Sequence, residues 1–171
     1  ARCYPGTVLL EGTTLSEGRG TTRPLELFGA PGLDVRAWLA AMHTLAPAWL
    51  SGCRLRSCWF EPTFQKHAGS LCAGLQVHVD DPGYAHLDFR PWRLVAAALK
   101  ALRRLRPDYP LWRDMHYEYE RDRRAIDLIN GGPGLREWVD DPAATAADLD
   151  ARASSDEAAW IAERADILLY R

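Results

Sequence analysis

Residues 53–79, CRLRSCWFEPTFQKHAGSLCAGLQVHV, carry two strand patterns on either side of a polar loop, and they decide the fold class. Cys53 to Phe60 and Gly74 to Val79 read as strands, the second alternating Leu75, Val77 and Val79 with Gln76 and His78. The loop between them, residues 61–72, is punctuated by Pro62 and Gly69 and carries Lys66 and His67 near its middle. Helical spacing flanks the pair. Upstream, Asp34 caps a helix with Val35, Trp38, Leu39, Met42 and Leu45 on one face, ended by Pro47. Downstream, Asp88 is the expected cap of a helix from about Arg90 to Arg106. Trp92, Val95, Leu99, Leu102 and Leu105 face inward there, and Arg93, Lys100, Arg103 and Arg104 outward. The fold class is α/β of the α+β kind, a single domain with a small mixed sheet flanked by helices.

Further out, Thr7 to Leu10 is a short apolar run read as a buried strand delivering a glycine-rich loop to one sheet edge. A short helix ends at Asn130-Gly131-Gly132, another spans about Leu135 to Val139, and Ser154 with Glu157 forms a capping-box pattern for a last helix bearing Trp160 and Ile161. Ile167 to Tyr170 is a small apolar tail.

Composition limits function. The 171 residues are 47% hydrophobic and 26% charged, with a formal net charge of -2. A pI near 6.2 gives no global attraction to nucleic acid or anionic lipid. No run approaches the length of a membrane span, so membrane insertion is not expected. The absence of an initiating Met suggests a piece of a longer protein. Cys3, Cys53, Cys58 and Cys72 have no CxxC spacing and read as buried thiols. His78, Asp80, Asp81 and His86 could be drawn as a metal cluster, but Asp81-Pro82-Gly83 reads better as a turn, and neither metal nor cofactor is expected. The basic positions of 93–106 and 121–124 read as solvated faces.

The segment 11–24, EGTTLSEGRGTTRP, holds the densest chemistry. Glu11 and Glu17 are candidate catalytic carboxylates for a glycosidase, which needs two carboxyl groups about 5 to 10 Å apart across the scissile bond. Arg19 and Arg23 offer guanidinium forks for a sugar carboxylate, and Ser16 and Thr21 offer hydroxyls. Lys66 and His67 add an anion contact and an acid or base. The bland alternative is that the glycines serve turns, the glutamates pair with the arginines, and the loop seals a domain edge. GxxxxGK[ST] and GxSxG are absent, so neither a phosphate loop nor a nucleophile elbow is indicated.

These stretches have a family likeness. PGTVLLEGTTLSEGRGTTRPLELFGAP (5–31) followed by FEPTFQKHAGSLCAGLQVHVDD (60–81) resembles the C-terminal part of the bacterial NamZ family, exo-β-N-acetylmuramidases acting on peptidoglycan fragments. RPWRLVAAALKALRRLRPD, AIDLINGGPGLREWV and WIAERADILLYR fit the family's order, extending the likeness over nearly the whole chain. It implies a second, N-terminal Rossmann-like domain absent from these 171 residues, a muramic-acid-containing sugar as ligand, and an isolated chain that is inactive. A cell-envelope or secreted setting is implied over a cytoplasmic one. Glu11, Ser16, Glu17 and Arg19 map onto the family's EGTNLSEGRGT motif, with Thr14 where Asn is usual, and His67 falls where many relatives have Tyr. A non-catalytic sugar-binding or interaction module is the alternative.

Overall fold

A computed structural model describes residues 1–80 and 82–169. The central element is the helix α3 (Pro91–Leu105), whose residues from Arg93 to Leu102 are all buried. Ala96, Ala97, Ala98 and Ala101 are small enough to let neighbours approach it from several sides. A short opening helix, α1 (Tyr4–Thr7), crosses its start so closely that a Cβ on Gly6 would lie 2.0 Å from the Pro91 carbonyl oxygen. α2 (Val35–Leu45), capped by the Asp34 carboxylate on the Ala37 N–H, packs along α3. Trp38 of α2 donates its indole N–H to the Ala98 carbonyl at 2.8 Å.

The other layer is a three-stranded sheet in the order β1-β3-β2, with β1 Leu27–Ala30, β2 Arg54–Phe60 and β3 Cys72–His78. Both pairings are antiparallel, so the small sheet forms without the parallel pair that a mixed sheet implies. β3 lies in the middle and sends Ala73, Leu75 and Val77 into the main core beside Phe28 and Trp38. Cys72 turns to a smaller cluster with Leu27 and Phe60 on the opposite face. Gly29 sits opposite Gly74 because β1 and β3 come too close for a side chain: a Cβ on Gly29 would stand 2.6 Å from the Gly74 Cα.

Beyond α3 come α4 (Ala125–Ile129), α5 (Gly134–Asp140) and α6 (Ala146–Arg164). Only Leu149 of α6 is buried. No helix among the described residues is long and apolar enough to cross a membrane.

Four local expectations are corrected. Residues 7–10 are not a strand: they continue α1 into a 3-10 turn, Val8–Gly12, that buries Leu9 and Leu10. Pro5 fits a first helical turn, and four apolar residues cannot distinguish the two periods. The capping box belongs to Thr145 and Asp148, with Ser154 inside α6 and Glu157 paired elsewhere. Asp88 does not cap α3, whose N-cap is Arg90 with Pro91 following. Arg93 and Lys100 are buried. Arg93 reaches Asp150 at 2.6 Å and Glu157 at 2.5 Å on α6, while Lys100 Nζ donates to the Trp138 carbonyl at 2.5 Å and to that of Asp141. A buried stem with its cation on the last carbonyls of α5 satisfies both halves of that side chain. The strand β1 was unanticipated, and the tail expected through Tyr170 ends outside the described residues.

Candidate functional site

Two loops meet at one end of the sheet. The loop after the opening turn runs from Thr13 to Glu26, and its Ser16 exchanges both backbone hydrogen bonds with Gly29 on β1, at 2.8 and 3.0 Å. The β2–β3 loop, residues 61–71, folds over it: the Thr63 N–H reaches the Arg19 carbonyl at 3.1 Å, and Lys66 Nζ donates to the carbonyls of Leu10 at 2.6 Å and Thr13 at 3.2 Å. Gly20, at φ +80, permits this approach, since a Cβ there would lie 1.8 Å from Thr63 Oγ1. The two stretches that carry the family likeness thus form one surface. Residues 111–117 supply a third side, through the Thr14 N–H on the Leu111 carbonyl at 2.8 Å and the Arg113 N–H on that of Gly12 at 3.1 Å.

At the junction is an ionic network. Arg19 donates from Nε to Glu17 Oε1 and from Nη2 to Glu11 Oε1, both at 2.5 Å. The side edge of its guanidinium is therefore divided between two carboxylates, and the Nη1 donors have no protein partner among the described residues. Lys66 Nζ stands 2.7 Å from the other Glu17 oxygen. The Glu17 side chain is 2% exposed and that of Glu11 is 22% exposed. Glu11 Oε2 accepts from the Tyr117 hydroxyl at 3.2 Å, and Arg113 Nη1 donates to the Glu11 carbonyl at 3.3 Å.

The charges tune one another. Burial pushes the Glu17 carboxyl up, but the Lys66 cation, in charge contact with an Oε2 that accepts no hydrogen bond among the described residues, and the hydrogen bond from Arg19 outweigh it and hold the group below its usual range. Burial pulls Lys66 down to about 8, with Glu17 resisting and Arg113 adding to the fall. The Arg19 guanidinium is held still more firmly charged by its bond to Glu17. The Tyr117 hydroxyl is pushed up by burial and by the nearby Glu11 charge. His67 Nε2 lies 2.9 Å from the Thr14 carbonyl, which accepts, so Nε2 carries the proton and the Nδ1 face is turned away from that contact. His67 sits at φ +58, a left-handed position fixed by its loop. Thr14 Oγ1 is buried without a hydrogen-bond partner among the described residues.

Of the residues singled out by sequence, Glu11, Glu17, Arg19, Lys66 and His67 come together here. Three do not. Ser16 is buried and accepts the Gly18 N–H at 3.1 Å, and Thr21 donates to the Gly18 carbonyl at 2.6 Å, so both hydroxyls shape the turn. Arg23 is turned to Glu26 and Asp80, at 3.0 and 3.1 Å. Tyr117 and Arg113 were missed: they belong to a run of alternating aromatic and charged residues with no motif of its own.

No three metal-ligating side chains converge among the described residues, and Asp81 of the drawn cluster lies outside them. All four cysteines are free thiols. Burial pushes Cys3 up to about 12 and Cys53 and Cys72 up to about 11, away from nucleophilic use.

Comparison with known proteins follows the same lines. A family model described as exo-beta-N-acetylmuramidase NamZ, C-terminal, matches residues 2–170. The chain is 47% identical over 81 residues to the peptidoglycan beta-N-acetylmuramidase NamZ of Bacillus subtilis strain 168, covering 46% of this chain and 18% of that protein. Crystal structures of two DUF1343 family proteins from Bacteroides fragilis NCTC 9343 share the fold. One has a TM-score of 0.60 at 21% identity, covering 87% of this chain and 38% of the other. The second has a TM-score of 0.61 at 20% identity, covering 99% of this chain and 40% of the other. The chain thus spans well under half the length of these relatives.

Proposed function

The chain belongs to the family of NamZ exo-β-N-acetylmuramidase C-terminal domains, and from that premise we propose that it forms one wall of a glycosidase pocket. In the complete protein that pocket releases N-acetylmuramic acid from the non-reducing end of peptidoglycan fragments. The observation carrying this reading is the Glu11–Arg19–Glu17–Lys66 network, which joins two loops distant in sequence and leaves one carboxylate and the end of one guanidinium toward solvent.

The roles divide by exposure. Glu17 is a positioning residue: sealed and held as the anion, it fixes Arg19 and Lys66 and has no face for a scissile bond. Glu11 is the carboxylate of this wall that can meet substrate, with Tyr117 orienting its second oxygen. Arg19 presents its Nη1 donors to the lactyl carboxylate that distinguishes muramic acid from glucosamine. His67 and Lys66 hold the β2–β3 loop against the carbonyls of Thr14, Leu10 and Thr13. A glycosidase needs two carboxyl groups flanking the bond; within this network Glu11 is the carboxylate with an exposed edge, and the second is assigned to an N-terminal domain outside these residues. A peptidoglycan-derived substrate supports a cell-envelope or secreted setting for the complete protein over a cytoplasmic one.

One observation favours a second reading. Every carboxylate of the network already has a protein cation, which suits a sugar-binding module as well as a catalyst. Hydrolysis of a chromogenic β-N-acetylmuramide, by this chain alone and by the chain joined to its natural N-terminal half, separates the two. Cleavage by the joined form only is the expected result. A joined form that binds N-acetylmuramic acid without cleaving the glycoside means a binding module.

A further inference from the structure

A cavity of about 540 Å³ opens beside the ionic network, lined by Arg113, His116, Arg121, Arg123 and Arg124 together with Asp114, Met115 and Asp122. Its size is that of an ordinary small-ligand site. Its charge is unbalanced. Glu120 takes up Arg123 at 2.7 Å, whereas Arg121 and Arg124 make no ion pair among the described residues, and the cations outnumber Asp114, Asp122 and Glu120. Arg113 joins the cavity to the site, with its guanidinium on the Glu11 carbonyl at 3.3 Å and its N–H on the Gly12 carbonyl at 3.1 Å.

We propose that this cavity is a carboxylate-binding subsite, in which Arg121 and Arg124 take a second carboxylate of the glycan beyond the sugar released at Glu11. Unpaired guanidinium forks suit carboxylate groups, and a glycan containing muramic acid carries such groups repeatedly. Two sources share the chemistry: the lactyl group of a further muramic residue two sugars along, and the carboxylates of a peptide attached to that residue, whose lactyl group is then an amide. The inference rests on the muramidase reading above.

The test compares the complete protein with its Arg121→Ala/Arg124→Ala variant on three substrates: the chromogenic monosaccharide glycoside, a peptide-free tetrasaccharide, and a tetrasaccharide bearing a peptide on its second muramic residue only. The expected result is a fall in kcat/KM of at least about tenfold on one or both tetrasaccharides, with the monosaccharide unchanged. Loss confined to the peptide-free tetrasaccharide assigns the lactyl group, and loss confined to the peptide-bearing one assigns the peptide. Equal loss on all three, or none on any, overturns the subsite. Should the complete protein cleave nothing, the muramidase reading has failed by itself. Calorimetric binding of the same two longer ligands then still decides the subsite, which stands if the variant binds either at least about tenfold more weakly and falls if it binds both as tightly.

Discussion

Lys66 Nζ stands 2.7 Å from Glu17 Oε2, and the two side chains are only 10% and 2% exposed. A buried carboxylate deprived of its cation retains its desolvation cost with less to offset it. Lys66→Met, which also strips the Leu10 and Thr13 carbonyls of the donor that even a neutral amine retains, is expected to lower stability by about 3 kcal/mol in urea unfolding. Adding Glu17→Gln should recover part of the loss. A double variant that loses the sum of the two single effects means that the residues do not act as a pair.

The same pair sets a pH dependence with two limbs. Lys66 titrates at about 8 in the fold against an ordinary 10.5, so between those values the unfolded chain binds more protons and stability rises with pH. Glu17 is held below its ordinary 4.5, so its contribution is present above that value and fades as pH falls through the folded pKa. Urea midpoints of wild type minus Lys66→Met should climb from about pH 8 to about pH 10.5, and those of wild type minus Glu17→Gln should fall below about pH 4.5. A flat difference on either limb removes that assignment.

Glu11 and Glu17 should separate chemistry from structure. In the complete protein, Glu11→Gln is expected to reduce turnover of the chromogenic glycoside by about a hundredfold or more while leaving the melting midpoint nearly unchanged. Glu17→Gln should lower the midpoint. If Glu11→Gln retains normal turnover, the catalytic carboxylate lies elsewhere.

For Arg19, the discriminating quantity is a ratio of substrates. Arg19→Ala in the complete protein should weaken kcat/KM for the muramide by about 1.5–3 kcal/mol more than for the glucosaminide lacking the lactyl group. Equal losses on both assign Arg19 to holding Glu11 and Glu17 alone.

Gly20→Ala adds a methyl where Thr63 Oγ1 would be 1.8 Å away, at φ +80. The β2–β3 loop must shift, and a loss of about 2 kcal/mol or more is expected in thermal or urea unfolding. Gly32→Ala is the control, being also at positive φ but facing open space. It should cost only the backbone term of about 1 kcal/mol. Equal effects at the two positions would show that the loop contact contributes nothing.

The elements with long periodic patterns were legible in the sequence: α2, α3, β2 and β3 fall within two residues of their expected limits. What was hidden depended on partners distant in the chain. Residues 7–10 are helical because Leu9 and Leu10 pack inside the main core, which no four-residue window reveals. Arg93 and Lys100 occupy polar positions of an amphipathic helix, yet α5 and α6 cover them with a carboxylate pair and two carbonyls. In the site, residue types disclosed the charged cluster but not its allegiances. Arg19 and Arg23 are chemically alike, and only the fold sends one to Glu11 and Glu17 and the other to Glu26 and Asp80. Tyr117 reaches Glu11 across 106 positions of chain.

The Lys66 ammonium holds carbonyls 56 and 53 residues upstream, at Leu10 and Thr13. Closing a loop of that length imposes its entropy cost before the contact returns anything, so β2, β3 and the core beneath them must be largely assembled first. The ionic network is consequently a late event in folding, so Lys66→Met should speed unfolding while leaving the folding rate nearly unchanged. A chain cut upstream of residue 66 keeps Glu11, Glu17 and Arg19 but loses Lys66 and the strand β3 that joins β1 to β2.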